Sequence, residues 1–184
     1  MEAIIIYWSK TGNTEKVASA IQEGLKDAGA KVSLHRVEEV GEVDYFDYDL
    51  VCIGFPSYRW SPPKPMDKFL KGKHSAYRSA GRVKLAAPPV PDKYALIFCT
   101  YSGPHTGIGE ATPAGLYAGQ FFDHLGFRVL DEWYVLSEYQ GSEEASTKGR
   151  LGDIRGLPSK EDLARIRGDA ARIVKTIQES GGTT

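Results

Sequence analysis

The chain has 184 residues, close to the roughly 150 of one ordinary domain and cramped for two. Hydrophobic residues make up 41% and aromatics 11%, enough apolar surface for a sizeable core, which excludes a disordered chain. Lys and Arg number 23 against 24 Asp and Glu, so the net charge of -1 lacks the basic footprint of a nucleic-acid binder.

The segment Met1-Glu2-Ala3-Ile4-Ile5-Ile6-Tyr7 is acidic at its start and has only a short apolar run. It fits neither a signal peptide nor a membrane span, and the expected compartment is the cytoplasm. The two cysteines, Cys52 and Cys99, sit inside apolar runs and are expected as buried reduced thiols that pack as small hydrophobes.

Ala3 to Tyr7 is an isoleucine-rich run of the length of a strand buried on both faces. From Thr14 the pattern turns helical, with Val17, Ala18, Ile21 and Leu25 on one stripe and Gly29 as a stop. Val32 to Val37 alternates apolar and polar residues as a strand near a sheet edge does, with His35 as a solvated strand residue. The acidic connection Glu38 to Tyr48 has no helical stripe. Asp49 to Gly54 is a second buried strand, ended by Phe55-Pro56.

Met66 to Leu70 can form a short helix after the prolines at 62, 63 and 65. Lys71 to Pro91 reads as a surface excursion whose cations either meet an acidic partner or are simply solvated. Tyr94 to Thr100 is a third apolar strand, followed by a glycine-rich loop from Tyr101 to Gly109. Pro113 suits the first turn of a helix running to Leu125. Arg128 to Leu136 is the last strand, Ser137 to Gly156 a polar loop, and Ser159 with Asp162 a cap for a final helix with Leu163, Ile166, Ala170, Ile173 and Ile177 on its stripe.

The resulting order, β-α-β-β-β-α-β-α, predicts a mostly parallel three-layer α/β sheet in one domain over 1–184, with an excursion at about 71–92 and a polar loop at about 137–157. Ligands in such sheets bind beyond the carboxyl ends of the strands, so the loops after residues 7, 54 and 100 are the site candidates.

The first of these loops is Ser9-Lys10-Thr11-Gly12-Asn13-Thr14. Three hydroxyls, one glycine and the unpaired amides of a helix N-terminus in six residues suit a dianionic phosphate. The hydroxyls of Ser9, Thr11 and Thr14 also suit plain helix caps, but their density favours the anion. The spacings of the two common nucleotide loops, G-x-x-x-x-G-K-[ST] and G-x-G-x-x-G, are absent.

This loop resembles that of the flavodoxin family, whose pattern T/S-x-T-G-x-T follows the first strand; Ser9, Thr11, Gly12 and Thr14 fill it. The resemblance extends more loosely over nearly the whole chain. It implies a doubly wound, five-stranded parallel sheet of order 2-1-3-4-5 in an α/β/α sandwich, and FMN as cofactor. It also implies two further flavin loops, here Pro56-Ser57-Tyr58-Arg59-Trp60 and Thr100-Tyr101-Ser102-Gly103, with Gly107 further on.

Both loops carry aromatics, and offset stacking on a flavin ring adds about 0.5–1.5 kcal/mol beyond burial. Trp60 is the first candidate for that contact, ahead of Tyr58 and Tyr101; its other reading is an anchor for the proline-rich segment that follows. Many flavodoxins carry a glycine in the second loop, where this chain has Ser61-Pro62 after Trp60. Electron-carrying flavodoxins are also usually strongly acidic, unlike this chain. Arg59 either sets charge beside the ring or is an ordinary surface arginine, and His105 is either a proton donor to a substrate or a bystander. No residue is assigned a catalytic role, and no metal is expected, since His74, His105 and His124 show no ligand spacing.

The resemblance thus implies an electron carrier working between redox partners, either a protein or a small-molecule acceptor. An FMN-dependent NAD(P)H oxidoreductase acting on a quinone is the alternative. A receiver-like signalling domain is disfavoured because Tyr7-Trp8-Ser9 and Ile53-Gly54-Phe55 stand where it needs acids.

Overall fold

The computed structural model describes residues 1–181. Five strands, β1 (Glu2–Tyr7), β2 (Lys31–Arg36), β3 (Leu50–Pro56), β4 (Tyr94–Tyr101) and β5 (Arg128–Leu136), form one sheet in the order β2-β1-β3-β4-β5. Every pairing is parallel. The expected doubly wound sheet of order 2-1-3-4-5 is therefore present.

Strand periodicity explains how one apolar run serves two layers. Along β1, Ile5 and Tyr7 face one side of the sheet while Ile4 and Ile6 face the other. The first side is covered by α1 (Asn13–Asp27), through Val17, Ala18, Ile21 and Leu25, and by α5 (Lys160–Gly181), through Ile166, Ala170, Val174 and Ile177. The second is covered by α2 (Lys64–Ser79) and α3 (Thr112–His124), whose Met66, Leu70, Phe121 and Phe122 pack on Ile4, Ile6, Val51 and Ile53. Burying each such isoleucine or phenylalanine contributes about 1.5–3 kcal/mol. The parallel crossovers leave the carboxyl ends of the strands open, which positions the site.

Two expectations need correction. Residues 71–79 are not part of an irregular excursion but the last turns of α2, so a full helix connects β3 to β4 and the loop proper begins at Ala80. The apolar stripe of this helix is sparse. Its outer half is held by Tyr77, which is buried, accepts a hydrogen bond from the Tyr45 amide at 2.6 Å and donates one to Asp44 at 3.1 Å. Such tertiary bonds leave no local pattern in the chain. The polar segment 137–157 likewise contains a short helix, α4 (Glu143–Thr147), whose N-terminus is capped by the Ser142 hydroxyl accepting from the Ala145 amide at 3.1 Å.

Cys52 and Cys99 are free and buried, and burial pushes both thiols far above the ordinary range. Among the described residues, no helix is long and apolar enough to cross a membrane.

Candidate functional site

A cleft of about 780 Å³ opens at the carboxyl edge of the sheet, walled by the segments that follow β1, β3, β4 and β5. Its floor is the turn from β1 into α1. Gly12 takes the left-handed backbone at the helix N-cap (φ 93°), and a Cβ there would meet nothing within 4 Å. No side chain caps the helix, so the first-turn amides keep their hydrogen-bonding capacity and the positive end of the helix dipole is uncovered. The plain-cap reading of the three hydroxyls therefore fails. Ser9 Oγ accepts from the Gly12 amide at 3.1 Å, bracing the loop, and Thr14 Oγ1 lies 2.8 Å from Thr100 Oγ1.

Three residues outside the expected set hold this floor. Arg36 on β2 donates to the Ser9 carbonyl at 2.5 Å and reaches Glu15 at 3.4 Å. Tyr7 donates to the other oxygen of Glu15 at 2.8 Å. Partial burial, reinforced by the Glu15 carboxylate, raises the Tyr7 phenol above its usual value. The available sequence signal was a charge on the apolar side of β2, where Arg36 follows Val32 and Leu34 at the carboxyl end of an edge strand that adjoins the first loop.

The second wall is a tight reverse turn. Tyr58 and Ser61 exchange backbone hydrogen bonds at 2.9 and 3.2 Å, with Arg59 and Trp60 between them at φ 51° and 63°. Both central positions are left-handed, a shape usually filled by Asn-Gly. Trp60 stands 62% exposed on the rim. Tyr58 meets Trp8 in a T-shaped contact, ring centres 5.8 Å apart. Burial, with a smaller contribution from nearby Tyr139, raises the Tyr58 phenol. Ser57 ties this wall to the next, donating its amide to the Thr100 carbonyl at 2.9 Å and its hydroxyl to the Glu110 carbonyl at 2.5 Å.

The third wall comprises Thr100, Tyr101, Ser102, Gly103, Pro104 and His105. Gly107 donates its amide to the Gly103 carbonyl at 3.0 Å, closing the loop. Glu110 fastens it by accepting from the amides of His105 and Thr106 at 2.8 and 2.7 Å. His105 itself is exposed on the rim.

A fourth wall, Ser137 to Gly141, was not anticipated. It is attached by hydrogen bonds from Ser102 Oγ to the Ser137 carbonyl (2.8 Å) and from Asn13 Nδ2 to the Glu138 carbonyl (3.2 Å). It brings a further exposed aromatic, Tyr139, to the mouth. Every expected site residue lines the cleft except Gly12 and Gly107, which shape loops behind it. Among the described residues no three His, Cys, Asp or Glu side chains gather as metal ligands.

The donor set suits a ligand with an anion at one end and a flat apolar body. Ser9, Asn13, Thr14 and Thr100 are nearly inaccessible polar residues at the floor, and tyrosines and a tryptophan stand on the walls. A phosphomonoester carrying a tricyclic ring meets both demands.

Known proteins resemble the chain in sequence and in fold. A flavodoxin-domain family model matches residues 4–85. The chain is 42% identical to an NAD(P)H dehydrogenase (quinone) from Rhizobium rhizogenes, with 95% of this chain and 96% of that one covered. It is also 42% identical to the flavodoxin of Megasphaera elsdenii over 53 residues, which is 29% of this chain and 39% of that flavodoxin. The fold matches oxidised flavodoxin 1 from Bacillus cereus with a TM-score of 0.66 at 16% identity, covering 95% of this chain and 98% of that one. With a 42%-identical NAD(P)H dehydrogenase (quinone) aligned over nearly its whole length, a flavodoxin-domain match over the first part of the chain, and the sheet order already described, the chain belongs to the flavodoxin-like family.

Proposed function

We propose that the chain binds FMN in this cleft and carries electrons between redox partners in the cytoplasm, where buried thiols such as Cys52 and Cys99 stay reduced. The observation that carries the reading is the polarity of the cleft, with uncapped first-turn amides and hydroxyls at the floor and exposed aromatics on the opposite rim. Thr11 and Thr14, with the amides around Gly12, hold the phosphate, and Lys10 adds positive charge at its edge. Tyr58 and Trp60 on one wall and Tyr101 and Tyr139 on the others hold the ring and keep water from its faces. Bound FMN supplies reversible electron transfer at the isoalloxazine ring.

Titration of the purified apoprotein with FMN and with riboflavin tests the reading. FMN should bind at least a hundredfold more tightly, because riboflavin lacks the phosphate that the floor receives. Equal affinity, or a protein that stays colourless, overturns it.

A second reading, an enzyme that moves a hydride from NAD(P)H through the flavin to a quinone, is favoured by the end-to-end match to a relative of that name. Steady-state NAD(P)H oxidation by the holoprotein separates the two. A carrier shows negligible turnover, and an enzyme shows ping-pong kinetics with a quinone.

A further inference from the structure

Charge is unevenly spread over this nearly neutral chain. Between Ser57 and Pro91 there are eight Lys and Arg residues and a single acid, Asp67, although the whole chain carries -1. On α2, Lys64, Lys68, Lys71, Ser75 and Arg78 recur at steps of four, three, four and three residues, so they form one stripe, and all are exposed. It lies opposite the face that buries Met66, Leu70 and Tyr77. At 1.5 Å per residue it is about 21 Å long.

A merely solvated helix face mixes both signs, and this one does not. Both oxygens of its one acid are engaged internally, Asp67 Oδ1 by the Tyr117 hydroxyl at 2.7 Å and Oδ2 by Lys71 at 2.8 Å. Among the described residues Lys64, Lys68 and Arg78 form no ion pair, whereas Lys71 does. Lys73, on the flank, is different: it donates to the Val43 carbonyl and lies near Asp44 and Glu42, so its charge is locally balanced.

The stripe also has a direction. Its near end, Lys64, follows within three residues the turn that carries Tyr58 and Trp60 on the cleft rim. Beside it, Leu116 and Tyr117 of α3 are exposed, and Tyr117 is joined to the stripe through Asp67. Exposed aromatic and aliphatic groups edged by unpaired cations suit a small, transient interface.

We infer that this face docks an acidic electron-transfer protein, which is steered by the α2 stripe and sets its own one-electron centre against the cleft rim at Tyr58 and Trp60. The inference rests on the FMN carrier reading above. In the exchange one electron leaves the partner's reduced centre and enters the oxidised flavin, and any accompanying proton comes from water. The charge pattern selects the partner through encounter rate, because complementary fields accelerate association and salt screens them.

The test compares FMN holoprotein with the charge-reversed variant Lys64→Glu/Lys68→Glu/Arg78→Glu, whose three side chains are exposed and outside the cleft. Stopped-flow mixing with a chemically reduced acidic [2Fe–2S] ferredoxin reads electron transfer in, and ferric cytochrome c, a basic acceptor, reads it out. The ferredoxin rate should fall on the order of tenfold as salt is raised, and fall by a similar factor at low salt in the variant. The cytochrome c rate should hold or rise in the variant. A milder Lys68→Gln/Arg78→Gln protein should fall between the two.

A ferredoxin rate that increases with salt, or that is equal in all three proteins, overturns the docking face. If instead phosphatidylserine vesicles pellet the wild type and not the variant while ferredoxin rates match, the stripe reads a lipid surface and the inference is likewise lost. Protein that rejects FMN overturns the carrier reading and this one together, whereas yellow protein with charge-independent rates removes this one alone.

Discussion

The hydroxyls of Thr14 and Thr100 meet at 2.8 Å although the residues are 86 positions apart, and both are buried at the floor of the cleft. One of the pair donates to the other, so the contact joins the start of α1 to the end of β4 and leaves one proton free to point at a ligand.

Replacing only one partner leaves the other hydroxyl buried and unpaired, which costs about 1–3 kcal/mol. Thr14→Val and Thr100→Val should each lower apoprotein stability by that amount in urea unfolding, and Thr14→Val/Thr100→Val should recover part of it. For ligand affinity the expectation is different: Thr11→Val/Thr14→Val removes two donors to a charged group, each worth roughly 1.5–3 kcal/mol before non-additivity. FMN titration should show a loss of at least a hundredfold.

The turn at Arg59 and Trp60 holds two non-glycine residues in the left-handed region, at roughly 1–2 kcal/mol each. Arg59→Asn/Trp60→Gly should therefore raise the apoprotein's Tm while weakening FMN through loss of the indole. Trp60→Ala, which keeps an L side chain in the same backbone, should weaken FMN by about 0.5–1.5 kcal/mol without the gain in Tm. A stabilised double variant with unchanged flavin affinity and quenching would remove Trp60 from the site.

Gly103 and Gly12 both have positive φ but differ in surroundings. A Cβ on Gly103 would lie 2.6 Å from the Gly107 carbonyl oxygen, a backbone atom that cannot swing aside, whereas one on Gly12 meets nothing within 4 Å. Gly103→Ala should thus force the third loop open, costing about 1–3 kcal/mol on top of the backbone strain, and Gly12→Ala should show the strain of about 1–2 kcal/mol alone. Thermal unfolding of the two apoproteins makes the comparison.

The N-terminus of α5 is closed by a reciprocal box: the Ser159 amide donates to Asp162 at 3.0 Å, and the Asp162 amide donates to Ser159 Oγ at 3.1 Å. The Ser159 amide above all, joined by its hydroxyl and Arg165, outweighs the opposing effect of burial and holds the Asp162 carboxyl below its ordinary value. Because the folded value lies under the unfolded one of about 3.9, the stabilisation is complete above that pH and is lost as pH falls through the folded value. Ser159→Ala should cost about 1 kcal/mol at neutral pH. The share of that difference that comes from the Ser159 hydroxyl donating to the Asp162 carboxylate should fade as pH falls through the folded value, as read from urea midpoints across the range.

Much of this was legible from the chain. The run Ala3 to Tyr7 and the hydroxyl-rich Ser9 to Thr14 announce a buried strand and an anion loop because both signals are local, in hydropathy and in donor density. The outer half of α2 was not legible. Its buried stripe is nearly reduced to Leu70 and Tyr77, and the bonds that hold Tyr77 come from Asp44 and Tyr45, distant in sequence. Arg36 and the Ser137 to Gly141 wall escaped for the same reason, since each acquires its role only when parallel pairing sets β2 and β5 beside the first and third loops. Hydrogen bonds that span 27, 35 and 125 positions leave no spacing to read.

The segment after β5 is fastened at its neck, where the Glu138 amide donates to the Leu157 carbonyl at 3.0 Å, and across its middle, where the Ile154 amide donates to the Ser146 carbonyl at 2.8 Å. It is thereby a cassette plugged into the rim, tied to the third loop where the Arg150 amide donates to the Pro104 carbonyl at 2.8 Å. Changes of side chain along it, as at exposed Tyr139, alter the width of the entrance, while the turn ahead of α1, built by another stretch of chain, keeps the anchorage constant.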